Sequence, residues 1–309
     1  MTITIIVPVY GVEKYIRECA VSLFSQTYKE IEYIFCDDCT PDRSMDILHE
    51  VMAEYPERKV RIIRNETNKG IGGTRAHLTK EVKTDHFLIV DSDDILPPNA
   101  VEILAKRMKE TGTDFVEGGY AEYCNGNICN EKAPSHLTGN KYKRKAWCQN
   151  LMEPHVWGRL YKTEILQKVP DLFMEGIDYA EDLCAMMRLI GVATRSWTDE
   201  TVYLYRTDNN ASYTKNISEK SLLSYAKAQA KILSFYLMRG HLPLAIEIGA
   251  LSTLRECRRN GLDMQKMDDI LQYVPEHFRA KLLYAMFHST RIPLIISDYT
   301  YRVFRLAAL

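Results

Sequence analysis

The stretch IIVPVYGVEKYIRECAVSLFSQTYKEIEYIFCDD, residues 5–38, contains two short apolar segments on either side of a segment with a different period. The apolar segments, IIVPVY and IEYIFC, are rich in β-branched and aromatic residues, which is typical of strands buried on both faces. The segment between them has apolar residues three and four positions apart, which predicts a helix. These residues are Val12, Tyr15, Ile16, Cys19, Leu23 and Phe24. The order strand, helix, strand predicts a parallel β-α-β unit.

The alternation of strand and helix patterns continues to about residue 113. Two further strands are predicted at KVRIIRN and HFLIV, and apolar stripes or a glycine-rich start predict three further helices. The helices are DRSMDILHEVMAEY, GGTRAHLTKEVK and NAVEILAKRMKETG, the last of which ends in Gly112, as helices often do. This order predicts a parallel sheet covered by helices, so the predicted fold class is α/β.

Beyond residue 113 the pattern becomes mixed. Asn125-Gly126 predicts a hairpin between DFVEGGYAEYC and NICNEK. YAEDLCAMMRLIGVA predicts a helix and SWTDETVYLYR predicts a strand. From about residue 217 the pattern is helical, with breaks near the three prolines Pro243, Pro275 and Pro293. The sequence therefore predicts a helical extension after the mixed α/β part.

Charge and composition exclude several classes of protein. The chain has 309 residues with 40 basic and 41 acidic side chains, so its net charge gives no reason to expect nucleic-acid binding. No apolar run approaches the roughly 20 residues of a membrane-spanning helix. The start, MTITIIVPVYG, has the pattern of a strand and lacks the basic region of a signal peptide. Eight scattered cysteines are typical of reduced cytoplasmic thiols, so we expect a cytoplasmic protein.

Two acidic clusters follow predicted strands. Asp37 and Asp38 end the second strand, and Asp91, Asp93 and Asp94 follow the fourth. Ligands bind at the carboxyl ends of the strands in open parallel sheets, and carboxylates suit Mg²⁺ or Mn²⁺. Two carboxylates cannot enclose such an ion, so a diphosphate would complete its coordination. Because Asp and Ser are also common in turns and helix caps, a structural role for both clusters stays open.

Several motifs together resemble the family 2 inverting nucleotide-sugar glycosyltransferases, which have the GT-A fold. The first are PVY at the end of strand one, SLFSQTY at the end of the following helix, and DDCTPD after strand two. NKGIGGTR resembles the family's Asn-x-Gly-x-x-x-x-Arg turn, VDSDD its Asp-x-Asp motif, and YAEDLCAMMRL its Glu-Asp helix. The motifs occur in the family's order over roughly residues 1–215, which makes the resemblance specific.

The resemblance implies a nucleotide and metal site. Pro8 and Tyr10 match positions beside the nucleobase, and Asp38 matches a carboxylate that accepts a hydrogen bond from uracil, which leaves Asp37 a structural role. The remaining nucleotide-binding residues implied are Arg75, Asp91 and Ser92. Asp93 matches a ligand of Mn²⁺ or Mg²⁺, whereas Asp94 is interpreted as a residue behind the metal site or as a helix cap.

The resemblance also implies a general base. Asp182 matches the carboxylate that takes the proton from the acceptor hydroxyl while the anomeric carbon inverts. Asp182 opens a predicted amphipathic helix, whose terminal N–H groups favour a charged carboxylate. The resemblance also makes Glu181 a candidate residue near the acceptor or the loop. From the residues alone, the favoured interpretation is that Glu181 and Asp182 only stabilise that helix terminus.

Three further residues match positions near the acceptor or the closing loop. Trp157 could stack on a sugar face, although large aromatic side chains more often pack in a core. Arg206 and Ser212 match a loop near the diphosphate. Asp208 and Asn209 stand where the family often has a second basic residue, so Arg206 could serve alone or the loop could act differently.

The resemblance thus implies a hexosyl- or N-acetylhexosaminyl-transferase that uses a UDP-sugar, a divalent metal and a glycan or lipid-linked acceptor. It implies a role in bacterial capsule, lipopolysaccharide or exopolysaccharide synthesis, at the inner face of the cytoplasmic membrane. Residues 1–215 would form the catalytic domain, divided into a nucleotide-binding half, 1–113, and an acceptor half, 114–215. Residues 216–309 would form the helical extension. Its basic and apolar C-terminal segment could touch the membrane or could dock as a helix on the catalytic domain.

Two other classes of function stay open from the sequence. One is a sugar-nucleotide binding module without catalytic activity. It would use the strand-end acids to bind a sugar nucleotide but would not transfer the sugar. The other is a metal-dependent phosphoryl-transfer enzyme that would use the cluster around Asp91 and Asp93.

Overall fold

The computed structural model describes residues 1–147, 154–209 and 218–262. Within these ranges eight strands form one sheet. The strands are β1 Ile3–Val9, β2 Ile31–Asp37, β3 Lys59–Arg64, β4 His86–Ile89, β5 Phe115–Cys124, β6 Asn127–Lys132, β7 Arg159–Lys162 and β8 Arg195–Arg206. The helices are α1 Ile16–Phe24, α2 Ser44–Glu54, α3 Gly70–Glu81, α4 Ala100–Thr111, α5 Gly139–Trp147, α6 Ile165–Lys168, α7 Glu181–Val192, α8 Glu219–Leu237 and α9 Leu244–Arg259.

The sheet has the order β3-β2-β1-β4-β7-β5-β6, and β8 pairs with β5 outside this path. The four strands β1 to β4 are parallel, as the alternating pattern predicted. The short strand β7 is antiparallel to both β4 and β5 and joins the two halves of the sheet. No pattern in the sequence predicted β7, because four residues are too few to show a period.

The core of the first half is built on β1, of which every residue is buried. Phe24 of α1 packs edge-on against Tyr33 and Phe35 of β2, with ring centroids 5.0 and 6.1 Å apart. Burying one such side chain contributes roughly 1.5–3 kcal/mol, so this layer fixes α1 against the parallel strands. This core therefore supports β1 and the two strands that pair with it, β2 and β4.

Two turns predicted from glycine are confirmed. Gly112 follows α4 in the left-handed backbone conformation, with φ of +61°. Its N–H donates to the Met108 carbonyl and thereby caps the C-terminal end of the helix. Asn125 and Gly126 have φ of +49° and +80° and connect β5 to β6 as a tight hairpin.

The described residues divide into two compact units. The first comprises the described residues within 1–136, 155–176 and 192–215, and the second those within 137–154, 177–191 and 216–309. The first unit contains the sheet. The domain boundary expected near residue 215 stays a prediction.

The second unit is helical. Tyr236 of α8 donates a hydrogen bond of 2.7 Å to the Met187 carbonyl of α7. Gly191 of α7 allows this approach, since a Cβ atom there would lie 2.3 Å from the Tyr236 hydroxyl oxygen. The side chain of Ser218 caps α8 by accepting from the Ser221 N–H. Among the helices that the structure describes, none combines the length and apolar character needed to cross a bilayer.

Candidate active site

The ends of three neighbouring strands bring the predicted nucleotide residues to one edge of the sheet. β1 lies between β2 and β4, and Val9 at its end pairs with Asp37 at the end of β2. The Asp38 N–H donates to the Val9 carbonyl at 3.1 Å. Tyr10, Asp38 and the segment beginning at Asp91 thus follow adjacent parallel strands, as the sequence predicted.

Asp38 is buried but keeps one carboxylate oxygen available. Its Oδ1 accepts from Asn65 Nδ2 at 2.7 Å and from the Lys69 N–H at 2.8 Å. No other group of the described residues donates to its Oδ2, and that oxygen keeps contact with solvent. Tyr10 follows β1 with 52% of its surface exposed, whereas Pro8 is buried in the strand. The edge therefore offers a fixed acceptor and an aromatic ring.

The neighbouring Asp37 has a structural environment. Its Oδ1 accepts from the Thr40 N–H at 2.8 Å, and its Oδ2 lies 3.3 Å from Arg64 Nε at the end of β3. Both oxygens are used inside the fold, so the structural role expected for Asp37 agrees with its contacts.

Arg75 and Asp91 form an ion pair in which the arginine is buried and the side chain of Asp91 is 25% exposed. Arg75 of α3 is 2% exposed and its Nη2 lies 2.6 Å from Asp91 Oδ1. Its guanidinium also lies 5.7 Å from the centre of the Phe173 ring. The positive charge of Arg75 balances the negative charge of Asp91. It therefore relieves part of the electrostatic repulsion among Asp91, Asp93 and Asp94.

The rest of the segment Asp91–Asp94 is held by β8. The Tyr203 hydroxyl donates to Asp94 Oδ2 at 2.7 Å and accepts from the Asp91 N–H at 3.1 Å. The Arg206 N–H donates to Asp94 Oδ1 at 2.7 Å. Burial raises the pKa of Asp94 well above its usual value, and the charges of Asp93 and Asp91 raise it further. Asp94 is therefore an internal anchor and no helix cap, since α4 begins six residues later at Ala100.

Asp91 and Asp93 suit a divalent cation. Asp93 accepts from Asn209 Nδ2 at 2.8 Å through Oδ2, and Asp91 uses Oδ1 for Arg75. The second oxygen of each carboxylate takes no hydrogen bond from another described residue. Burial and the nearby charge of Asp91 raise the pKa of Asp93, so a cation would relieve this repulsion. Ser92 lies buried between them.

This pair does not make a complete metal site. Within residues 1–147, 154–209 and 218–262, no group of three or more His, Cys, Asp or Glu side chains could hold an ion by itself. The chemistry of the two carboxylates therefore fits Mn²⁺ or Mg²⁺ only if a diphosphate supplies further oxygen ligands.

The side chain of Arg206 is fixed at the same segment. Its Nε donates to the Asp93 carbonyl at 2.6 Å and its Nη2 pairs with Glu18 at 2.5 Å. The guanidinium lies 4.9 and 5.0 Å from the ring centres of Tyr15 and Tyr123. Its contact with a diphosphate stays a prediction. Ser212, predicted in the same loop, lies outside the described residues.

Trp157 packs in an aromatic stack. Its ring is parallel to those of His155 and Tyr203, with centroids 3.6 and 4.3 Å apart, and it also stacks on Tyr205. Trp157 is 6% exposed. The structure thus shows Trp157 packed among other aromatic rings, which is the alternative that the sequence left open. Contact of Trp157 with an acceptor sugar stays a prediction.

Glu181 and Asp182 begin α7 in the second unit, where the sequence predicted a helix. Ala180 precedes them with φ of +68°, and its carbonyl accepts the first helical hydrogen bond from Cys184. Hydrogen bonds to Ser224 of α8 fix the residues before Ala180. The Ser224 hydroxyl accepts from the N–H groups of Asp178 and Tyr179, each at 2.9 Å. Asp182 thus sits in the first turn of a helix whose start is fixed, and its role as base stays a prediction.

Sequence reasoning missed the residues that hold the site. Tyr203 and Glu18 contact Asp94 and Arg206 from distant parts of the chain, and Asn65 contacts Asp38 from the end of β3. The one signal available in the sequence was the position of Asn65, which is the last residue of the predicted strand KVRIIRN at the same edge. Nothing near Tyr203 in the sequence indicates its partners.

Comparisons with known proteins agree with this geometry. A family model described as glycosyl transferase family 2 matches residues 4–170. The uncharacterized glycosyltransferase EpsJ of Bacillus subtilis (strain 168) is 31% identical over 68% of the chain and 62% of its own length. Glycosyltransferase GlyA of Streptococcus pneumoniae serotype 4 is 31% identical over 54% of the chain and 25% of its length.

A third relative has a more specific name. The UDP-Glc:alpha-D-GlcNAc-diphosphoundecaprenol beta-1,3-glucosyltransferase WfgD of Escherichia coli is 31% identical over 45% of the chain and 54% of its length. The match thus spans less than two thirds of each of these three relatives.

Solved structures show the same fold. The chain resembles S. aureus TarS 1-349 in complex with UDP-GlcNAc, with a TM-score of 0.71 at 21% identity, over 100% of the chain and 90% of TarS 1-349. It also resembles the mannosyltransferase PcManGT of Pyrobaculum calidifontis in complex with GDP-Man and Mn²⁺, with a TM-score of 0.53 at 12% identity, over 98% and 86% of the two chains. The predicted α/β sheet with C-terminal helices, a GT-A fold, is confirmed. Because the family model covers more than half of its length, the chain belongs to glycosyl transferase family 2.

Proposed function

We propose that the protein transfers a sugar from a UDP-sugar to a hydroxyl of a glycan or lipid-linked acceptor, with inversion at the anomeric carbon. The observation that carries the proposal is that Asp38 Oδ2 takes no hydrogen bond from the described residues, while the exposed Tyr10 follows the adjacent strand β1. Uracil carries an N–H that a carboxylate accepts and a face on which an aromatic ring stacks. Arg75, Asp91 and Ser92 would bind the rest of the nucleotide.

The comparisons support a UDP-sugar donor and a bacterial polysaccharide pathway. TarS is described with UDP-GlcNAc bound, and WfgD is named for a UDP-Glc donor and a diphosphoundecaprenol acceptor. A hexose or an N-acetylhexosamine is therefore the expected sugar. We propose a role in the synthesis of bacterial capsule, lipopolysaccharide or exopolysaccharide at the cytoplasmic face of the membrane. There the C-terminal segment, outside the described residues, would contact lipid.

Asp91 and Asp93 would hold Mn²⁺ or Mg²⁺ together with the donor's diphosphate. The bound cation would neutralise the charge that develops on the departing UDP. The protein's own residues prepare this site, because Arg75 fixes one oxygen of Asp91 and Asn209 fixes one oxygen of Asp93. The second carboxylate oxygen of Asp91 and that of Asp93 would then be available to the cation and the donor.

Asp182 would act as the general base. As the acceptor oxygen bonds to the anomeric carbon and the bond to the UDP oxygen breaks, the hydroxyl proton passes to the Asp182 carboxylate. Asp182 lies in the first turn of α7, where the helix dipole favours a negatively charged side chain. Residues 1–215 would carry this chemistry, and residues 216–309 would form the extension.

The proposal is tested by UDP release from a panel of UDP-sugars with lipid-linked and free glycan acceptors, with Mn²⁺ and after EDTA. We expect metal-dependent UDP release with at least one donor, stimulated by an acceptor. Tight UDP binding without turnover on any acceptor would instead identify a binding module. Phosphate release from simple phosphoesters would identify a phosphoryl-transfer enzyme.

A further inference from the structure

A buried hydrogen-bond network stands behind Asp38. Asn65 lies at the end of β3 and is 2% exposed. Its Nδ2 donates to Asp38 Oδ1 at 2.7 Å and to Thr74 Oγ1 at 3.1 Å, and its Oδ1 lies 2.7 Å from His77 Nδ1. The sulfur of Cys36 lies 3.9 Å from the same histidine nitrogen. Thr74 and His77 are three residues apart on α3, so one face of this helix supports the amide.

The chemistry of these groups fixes the hydrogens shared by Asp38, Asn65 and His77. A carboxylate only accepts hydrogen bonds, so the Asn65 amide must turn its NH₂ toward Asp38. Its carbonyl oxygen then faces His77, and Nδ1 of that histidine must carry a proton and donate. Asp38 and the Nδ1 proton of His77 therefore hold the Asn65 amide from its two ends, and the amide NH₂ engages Asp38 Oδ1.

We propose that Asn65 and His77 are positioning residues that make the site selective for a nucleobase with a ring N–H donor. The inference rests on the proposed UDP-sugar function. With Oδ1 held by Asn65 and the Lys69 N–H, Asp38 presents Oδ2 as a pure acceptor. Uracil offers N3–H to such an oxygen. Cytosine has a lone pair at the same ring position, which a carboxylate repels.

The proposal predicts a specific consequence of removing the histidine donor. In His77→Leu, nothing at this position donates to the Asn65 carbonyl, so the amide is held only through its NH₂ group and is fixed less firmly against Asp38 Oδ1. Asp38 would then be held less firmly in its orientation, chiefly by the Lys69 N–H. Binding of a base that needs the Asp38 acceptor should weaken, whereas binding of a base that cannot use it should not.

The experiment measures dissociation constants of UDP, CDP and N3-methyl-UDP by calorimetry, with Mn²⁺, on the full chain. N3-methyl-UDP is uridine diphosphate without the ring N–H. The variants are His77→Leu, His77→Asn, which keeps a donor where Nδ1 stands, and His49→Leu, the same change on an exposed histidine of α2. His77→Ala repeats the measurement with a smaller side chain in case leucine does not fit. Melting temperatures check that each variant is folded.

We expect the wild type to prefer UDP to both other nucleotides. In His77→Leu and His77→Ala, UDP binding should weaken about fivefold to tenfold, the loss of about one hydrogen bond, while the two other nucleotides change less than about twofold. His77→Asn and His49→Leu should keep the wild-type preference. This selective loss separates positioning from a general structural role.

Equal weakening of all three nucleotides in folded His77→Leu, or an unchanged preference for UDP, would overturn the inference. A wild type that binds UDP no better than N3-methyl-UDP would also overturn it, while UDP-sugar transfer would stand. A wild type that binds no UDP would overturn the proposed function, and the inference with it.

Discussion

Two adjacent carboxylates after β2 have different surroundings. Both oxygens of Asp37 are paired, with Thr40 and Arg64. Of the Asp38 oxygens, only Oδ1 takes hydrogen bonds from the described residues. The difference arises because consecutive residues at a strand end point in opposite directions. One acid stabilises the turn and its neighbour is available to a ligand.

Asp38→Asn should weaken UDP binding by about tenfold to a hundredfold, as the loss of a charge-assisted hydrogen bond implies. Asn65 and the Lys69 N–H would keep the amide oxygen on their side. The new NH₂ group would then face the uracil N–H, and two donors would meet. Calorimetry with UDP and Mn²⁺ measures the change. Asp37→Asn is the matched control and should bind UDP as the wild type does, and equal weakening in both variants would contradict the assignment.

Asp182→Asn should lower kcat by about 10²- to 10⁴-fold, because the hydroxyl proton loses its acceptor in the transition state. The dissociation constant of UDP should stay unchanged, since this residue is proposed to touch the acceptor side. UDP release under saturating donor and acceptor measures kcat. Asp171→Asn, an exposed acid of the first unit, is the control and should keep full activity. An Asp182→Asn enzyme with more than half of the wild-type kcat would rule out this base.

At the scale of secondary structure, β8 is the element that holds the acidic segment after β4. Residues Ile95 and Leu204 exchange backbone hydrogen bonds of 3.2 and 2.9 Å, and Tyr203 and Arg206 bind the segment on either side of this bridge. The Trp157 ring stacks on Tyr203 and fixes its orientation. The conformation of the segment is therefore imposed by a strand more than a hundred residues later in the chain.

Tyr203→Phe should destabilise the fold by about 1–3 kcal/mol, because Asp94 and the Asp91 N–H both lose a buried partner. Metal-dependent UDP binding should weaken as well, since Asp91 and Asp93 lie in the loosened segment. Tyr205→Phe removes the same hydroxyl two residues away, where no hydrogen bond of the described residues is lost, and should change neither quantity. Urea unfolding and calorimetry measure the two effects. Equal behaviour of the two variants would contradict the role of β8.

A second group of charges joins three strands of the same sheet. Glu117 of β5 lies 2.5 Å from Arg159 of β7 and 2.6 Å from Arg195 of β8. Burial alone would raise the pKa of Glu117, but the two guanidinium groups outweigh burial and hold this pKa below its usual value of 4.5. A carboxyl with a lowered pKa stabilises the fold above its unfolded pKa, and this contribution is lost as the pH falls further.

The free energy of unfolding should therefore decrease below about pH 4.5 as Glu117 becomes protonated. Glu117→Gln should lower stability by about 3–5 kcal/mol at pH 7, because two buried arginines lose their counter-charge. The same variant should lose part of the acid dependence. Glu131→Gln, on the exposed strand β6, is the control and should match the wild type. Denaturant unfolding between pH 3 and pH 7, about the range in which carboxyls titrate, measures both effects. Parallel pH profiles for the wild type and Glu117→Gln would contradict the argument.

For the whole molecule, ligand binding and folding are linked. A ligand that binds only the folded chain raises its stability by mass action, by about 2.7 kcal/mol at a concentration of 100 times the dissociation constant. The strand-end residues that would bind UDP lie in the first unit, which contains the sheet. A nucleotide there should stabilise the part of the chain with the largest described core.

UDP with Mn²⁺ should thus raise the melting temperature of the protein, and EDTA should reverse most of the increase because the diphosphate then loses its counter-ion. Thermal unfolding with a panel of nucleotides and UDP-sugars measures this, and the true donor should give the largest shift. GDP serves as the control, since its base differs in size and hydrogen bonding from uracil. An equal shift with GDP would contradict a uracil-selective site.

The sequence by itself determined the parallel strands β1 to β4, the helices between them, the hairpin at Asn125 and the placement of acids at strand ends. These features are local, since period and turn chemistry are set by neighbouring residues. It also carried the family motifs from which Asp38, Asp91 and Asp93 are proposed as site residues. All of these depend on residues close together in the chain.

Only the tertiary structure decided what supports those acids. The contact of Tyr203 with Asp91 joins residues 112 positions apart, and Arg206 meets Glu18 across 188. The short antiparallel strand β7 likewise exists only because β4 and β5 supply its partners. Such contacts form because the sheet brings distant segments together. The spacing of apolar residues within one segment does not indicate which side chains will then contact one another.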